Sequence, residues 1–227
     1  MTKKIDLTVA LITKNEEDRL PATLSSVRNI ASEIIVVDSG STDDTINIAR
    51  KYGAIVYSHP WEGFAAQKNF LATKCSRRWI LFLDADEVLT SELQQEILQA
   101  VIEDRNISYE INRKTAYLGK ILNHAWQKNY RLRLVRKDQN PKWIGDVVHE
   151  ELVVSSPHQK LRNHLIHHSY RNIRDHFSKT VFYANLAAND YVKKGRKSSI
   201  AKIILKPTFA FFKMYLLQRS FLDGFPG

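Results

Sequence analysis

Two aspartates stand one residue apart where an apolar run ends: Leu81 to Glu87 reads LFLDADE. At i, i+2 spacing in an extended segment, the carboxylates of Asp84 and Asp86 point to the same side. Two such charges repel unless a cation lies near them, and Mg²⁺ or Mn²⁺ is commonly held by one or two carboxylates together with substrate phosphates. The pair therefore reads as a bridge from a metal to a diphosphate. A second acid, Asp38, closes the apolar EIIVVD run and opens DSGSTDDT. A carboxylate there can take ribose hydroxyls or a ring nitrogen of a base. Gly40 permits a tight turn, and Ser41 or Thr42 can cap a following helix whose N-terminus favours phosphate, although SGST also serves as an ordinary strand-turn-helix junction. Neither GxGxxG nor GxxxxGKS occurs, which argues against a nicotinamide enzyme or a P-loop ATPase. His164, His167 and His168 invite a zinc site, but one cysteine and no HExxH make that reading poor.

These residues need a scaffold, and the 227-residue chain is long enough for one sizeable domain with an appended piece. A single cysteine, Cys75, excludes a disulfide framework and points to a reducing compartment. The opening apolar run is cut short by Lys14, Asn15 and Glu16, too early for a signal peptide, and no stretch is apolar for long enough to span a membrane. Charge is divided unevenly. Residues 1–104 hold 11 Lys/Arg and 16 Asp/Glu, whereas residues 105–227 hold 23 and 8. A basic half of this kind attracts an anionic partner.

Strand and helix patterns alternate through the first hundred residues. Strands are expected at 7–12, 33–37, 54–57 and 79–83, and helices at 16–29, 42–52, 64–73 and 91–102. The near-continuous apolar strands predict an α/β fold with a mostly parallel central sheet and helices on both faces. Ligands in such sheets bind beyond the carboxyl ends of the strands, which selects Thr13–Glu16, Asp38–Thr45 and the DADE turn as one crevice. Further on, 108–113, 131–135 and 150–154 alternate like half-exposed strands. Helices are expected at about 174–193 and 198–222, the second strained by Pro207.

In order along the chain, TKNEE, IIVVDSGSTDDT, WEGFAAQKN and WILFLDADE resemble the successive motifs of family 2 glycosyltransferases, whose fold is the GT-A nucleotide-diphosphosugar fold. The later KNYRLRLVR, GDVVHEEL, IHHSYR and FLDGFPG resemble a narrower branch, the lipopolysaccharide core glucosyltransferases of the WaaE/KdtX type. The likeness covers nearly the whole chain. It implies that Asp38 contacts uridine, with Thr13, Asn15, Glu16, Gly40 and Ser41 lining the same end, and that Lys68 approaches base or phosphates. It further implies that Asp86 ligates Mg²⁺ or Mn²⁺ with Asp84 assisting at the nucleotide, and that His167 completes the metal or diphosphate site. Inverting transfer needs a general base for the acceptor hydroxyl, and the VHE motif nominates Glu150, with Asp146 in reserve. Where branch members commonly carry Pro-Asp after the tryptophan, this chain has Gln127, Lys128 and Asn129; relatives usually continue with more apolar sequence after GFPG.

On the acceptor side, Trp126, Tyr130, Arg131 and Arg133 lie in a segment, 111–136, with seven Lys/Arg and no acid. Rings stack on sugars and guanidinium groups pair with phosphates, which suits a phosphorylated heptose, and would also suit RNA. Residues 193–227 carry eight Lys/Arg and one acid among aromatics, the pattern of a basic helix on an anionic membrane surface. The combined expectation is a nucleotide-sugar-binding half (1–104), an acceptor-binding half (105–172) and a basic amphipathic extension (173–227). Glucose would pass from UDP-glucose to the heptose region of the lipopolysaccharide core, at the cytoplasmic face of the inner membrane, with no nucleic-acid partner. Two other readings stay open at this point: a phosphohydrolase of the haloacid dehalogenase type using Asp84 and Asp86, and a non-catalytic module binding nucleic acid or acidic lipid.

Overall fold

The apolar run Leu7–Thr13 forms β1, whose residues Leu7 to Leu11 are all buried. The computed structural model describes residues 5–126, 129–145, 150–195 and 199–227. β2 (Glu33–Asp38) and β4 (Trp79–Asp84) flank β1 in parallel, and β3 (Ile55–Ser58) lies parallel outside β2. Three further strands, β5 (Glu87–Leu89), β6 (Ser108–Tyr117) and β8 (Tyr130–Arg136), join with β11 (His158–His167) to give the order β3-β2-β1-β4-β8-β6-β11-β5. β8 pairs with β4 antiparallel, as β6 does with β8 and β5 with β11. The first half of the sheet is parallel, as the alternating pattern predicts; the second half makes it mixed. β9 (Lys142–Ile144) and β10 (Glu151–Val153) pair separately.

Period-two alternation sorts the core into two layers. Ala10, Ile35, Val37, Ile80 and Phe82 pack with Leu71 of α3 (Phe64–Lys74), Trp143 and Leu152. On the other face, Val9, Leu11, Val36, Leu81 and Leu83 meet Leu20, Leu24 and Val27 of α1 (Leu20–Val27) and Leu93 and Ile97 of α4 (Ser91–Glu103). Thr90 caps α4 by accepting from the Leu93 N–H at 3.2 Å.

Two helices start later than the periodicity predicts. α1 begins at Leu20 rather than Glu16, and α2 (Thr45–Lys51) at Thr45 rather than Thr42. The intervening residues stay non-helical because polar side chains capture their backbone. Thr45 Oγ1 accepts from Glu16 N at 2.8 Å, and Asn15 Oδ1 accepts from Thr42 N at 2.8 Å, with Asn15 itself at φ 55°.

The chain forms two compact units, Met1–Arg113 with Tyr130–His167, and Lys114–Asn129 with His168–Gly227. In the second, Leu118 and Gly119, both at positive φ, make the tight turn from the end of β6 into β7 (Lys120–Ile121). This unit also holds α5 (Ile173–Lys193) and α6 (Ile200–Phe212). α6 runs through Pro207 but stops ten residues short of the expected Leu222, giving way to a π turn and then a 3₁₀ turn at Ser220–Asp223. The carboxylate of Asp223 accepts from three consecutive backbone N–H groups, those of Asn123, His124 and Ala125, at 2.8–2.9 Å.

Candidate active site

The carboxyl ends of β1, β2 and β4 lie side by side, since Thr13 pairs with Asp38 and Ile12 with Asp84 in the parallel registers. Asp38 is 1% exposed and turns its carboxylate into its own loop. Oδ1 accepts from the N–H groups of Gly40 and Ser41 at 2.9 and 2.8 Å, and Oδ2 from the hydroxyls of Thr13 and Ser41 at 3.0 and 2.5 Å. Gly40 sits at φ 90°, a conformation that side chains resist. Asp38, expected at the uridine, thus builds the rim on which Thr13, Asn15, Gly40 and Ser41 stand.

The two aspartates of DADE part company. The i, i+2 spacing predicts both on one side of an extended segment, but the strand ends at Asp84 and the chain turns at Ala85 and Asp86 before β5. Asp84 Oδ2 accepts from Arg133 Nη2 at 2.7 Å, and Oδ1 lies 3.2 Å from Lys68 Nζ. Burial alone would raise the Asp84 carboxyl, but Arg133 and Lys68, then Arg113, hold it well below the usual carboxylate range. Asp86 looks elsewhere: Oδ1 is 3.4 Å from His167 Nε2 and Oδ2 is 3.3 Å from Arg19 Nη1, while Arg19 also grips Glu16. Burial again pushes upward, yet the hydrogen bond and charge of His167, with Arg19, keep Asp86 below its ordinary value against the repulsion of Asp84.

Asp86 and His167 supply one hard oxygen and one imidazole nitrogen, close enough to share an ion. No larger group of His, Cys, Asp and Glu suited to a metal is present among the described residues. Mg²⁺ keeps several waters and uses few protein carboxylates beside substrate phosphates, so a two-donor site of this chemistry fits such an ion.

Beside Asp84, a cavity of about 500 Å³ is lined by Lys68, Asp84, Arg113, Tyr130, Arg131, Arg133, Glu150 and neighbours. Lys68 is its hinge. Its ammonium is 3.2 Å from Asp84 and 3.1 Å from Glu150 Oε1, and rests 4.4 Å from the centre of the Trp143 ring. The Trp143 backbone is held from α3, where the Asn69 side-chain amide donates to the Trp143 carbonyl and accepts from its backbone N–H, both at 2.8 Å.

Several sequence-nominated residues converge here and others do not. Thr13, Asn15, Glu16, Asp38, Gly40, Ser41, Lys68, Asp84, Asp86, Tyr130, Arg131, Arg133, Glu150 and His167 all belong to the first unit. Trp126 belongs to the second, ringed by Tyr117, Tyr170 and His176 at 6.0–6.2 Å between centroids. Asp146 lies outside the described residues. Arg133, nominated for the acceptor, is 3% exposed and committed to Asp84 and Glu87, each at 2.7 Å. Sequence reasoning missed Arg19, Glu87, Arg113 and Trp143. Glu87 is fully buried, pairs with Arg113 and Arg133, and accepts from the Asp84 N–H at 3.0 Å. Its one sequence signal is position: an acid followed directly by the apolar Val88 and Leu89 of a short strand.

A mixed α/β sheet whose strand ends carry these acids, with a charged cavity beside them, has the architecture of the GT-A fold. Residues 8–149 match the family model "Glycosyl transferase family 2". The chain belongs to the family 2 glycosyltransferases. It is 30% identical to the lipopolysaccharide core biosynthesis glycosyltransferase LpsC of Rhizobium meliloti, over 99% of this chain and 87% of that protein. It is 34% identical to the protein named "Uncharacterized glycosyltransferase RT0209" of Rickettsia typhi, over 96% of this chain and 78% of that one. Among solved structures, Staphylococcus aureus TarS 1–349 superposes with a TM-score of 0.54 at 16% identity, covering 74% of this chain and 61% of that one, a likeness of fold. The phosphohydrolase and non-catalytic readings give way to this membership; DADE follows the fourth strand, whereas the phosphohydrolase nucleophile normally follows the first.

Proposed function

We propose that the protein transfers glucose from UDP-glucose, with inversion, to the heptose region of the lipopolysaccharide inner core. The observation that carries the reading is Lys68, whose ammonium links Asp84 on the donor rim to Glu150 on the cavity wall. Glu150 accepts the proton of the acceptor hydroxyl as its oxygen attacks the anomeric carbon. The bond from that carbon to the diphosphate breaks, and UDP leaves with the electron pair on the opposite face. Lys68 holds Glu150 in place, and the Asp38 loop seats the nucleotide. Asp86 and His167 would hold a Mg²⁺ or Mn²⁺ ion, which would supply positive charge to the leaving diphosphate. The name of LpsC supports the choice of acceptor.

The second unit suits work at an anionic membrane surface, on the cytoplasmic face of the inner membrane. Among the described residues no helix is long and apolar enough to cross a membrane. Phe209, Phe212 and Phe225 are nonetheless more than half exposed, in a region rich in Lys and Arg.

The test is direct: UDP-glucose and heptosylated lipid A core, with Mn²⁺ or Mg²⁺, should yield a glucosylated product of inverted anomeric configuration and free UDP. Transfer from another nucleotide sugar alone would replace the donor assignment, and no transfer from any would refute the reading. Flotation with phosphatidylglycerol vesicles but not phosphatidylcholine vesicles should follow for the second unit's role.

A further inference from the structure

Among the described residues, four Lys or Arg side chains and four acids, Asp84, Glu110, Glu150 and Glu151, line the cavity, and three of the four cations are matched. Lys68, Arg113 and Arg133 lie within ion-pair distance of Asp84, Glu87 or Glu150. Arg131, on the same wall, is in no ion pair within 4.0 Å among the described residues. Its one hydrogen bond runs from Nη1 to the neighbouring Tyr130 carbonyl at 3.2 Å. A guanidinium carries five N–H donors in a planar fork, so four remain available.

We infer that Arg131 forms an anion subsite for the acceptor, taking a phosphate monoester or a carboxylate borne on the sugar next to the attacking hydroxyl. The inference rests on the transferase reading and gives it a substrate class. The fork matches two oxygens of either anion, which a lysine in its place would meet only as a point charge. Two further guanidiniums, those of Arg113 and Arg133, line the cavity with Arg131, as do the acids Glu150 and Glu151. Burial, then the guanidiniums of Arg113 and Arg133, lower the Arg131 pKa despite Glu150 and Glu151, so an anion relieves an existing like-charge strain. Glu110, the acid on β6, also lines the cavity, with its carboxylate 4.0 Å from the His158 imidazole. Because Glu150 lines the same cavity, an anion held at Arg131 also orients the hydroxyl that Glu150 deprotonates.

The experiment compares one core acceptor in three forms: intact, phosphatase-treated, and with its carboxylates reduced to alcohols. For the wild type, removing the recognised anion should lower kcat/KM roughly 10- to 100-fold, mostly through KM, the worth of a charge-assisted hydrogen-bonded pair. The arm that shows the loss identifies phosphate or carboxylate. In Arg131→Gln the ratio between intact and stripped acceptors should fall to near one, and Arg131→Lys should restore part of it; melting temperatures report that both variants are folded. Equal wild-type rates on all three forms, or an undiminished ratio in Arg131→Gln, would overturn the subsite while leaving the transferase reading intact. Failure of every form to accept sugar overturns the parent reading and this subsite with it.

Discussion

Lys68 Nζ lies 3.1 Å from Glu150 Oε1, a contact that ties two residues 82 positions apart in the chain. It joins the helix after β3 to the segment before β10, and sets the candidate base against a fixed cation. Glu150→Gln keeps the shape and a hydrogen-bond acceptor for Lys68 while removing the proton acceptor. Donor affinity, read by calorimetry with UDP, should hold, while turnover falls by about 10²–10⁴-fold, the usual worth of a general base. Transfer at the wild-type rate would show that another group takes the proton.

Asp86 has a different assignment and a different signature. Asp86→Ala removes the oxygen donor beside His167 and a carboxylate beside Arg19. Mn²⁺ should then cease to raise the melting temperature in the presence of UDP, and metal-dependent turnover should vanish. An unchanged Mn²⁺ response would move the ion elsewhere.

Glu87 governs stability more than chemistry. Its side chain is fully buried between Arg113 and Arg133, so Glu87→Ala leaves buried positive charge short of a partner. Urea denaturation should show a loss of about 3–5 kcal/mol, as when one partner of a buried ion pair is removed. A loss under about 1 kcal/mol would mean that Asp84 alone suffices for both arginines.

The sheet's first half was legible because its strands are buried on both faces and read as unbroken apolar runs, such as VALI in β1. Asp84, Asp86, Lys68 and Glu150 could be nominated because each closes or adjoins such a run or a recognisable motif. Arg113 and Glu87 could not, since their partnership depends on β6, β8 and β5 meeting in a sheet that no local pattern specifies. The late starts of α1 and α2 were hidden for a related reason: Asn15 and Thr45 satisfy backbone groups across 27 and 29 residues.

Asp223 offers a pH test within the second unit. Burial opposes its charge, but the N–H groups of Ala125 and Asn123, with His124, bring its pKa down to about 2. A carboxylate with a depressed folded pKa stabilises fully above its unfolded value near 4, and that contribution disappears as pH falls through about 2. Asp223→Asn should therefore cost about 2 kcal/mol at pH 7. The gap in melting temperature between variant and wild type should narrow below about pH 4 and close by about pH 2. A gap independent of pH would assign the effect to packing.

The closed circuit around Asp38 bears on how fast a nucleotide can be captured. With all four of its contacts made to its own strand ends and turn, this rim is organised before any donor arrives, and the entropy of ordering it is charged to folding. Capture of UDP should accordingly follow a single concentration-dependent phase in stopped-flow mixing, without a slow isomerisation behind it.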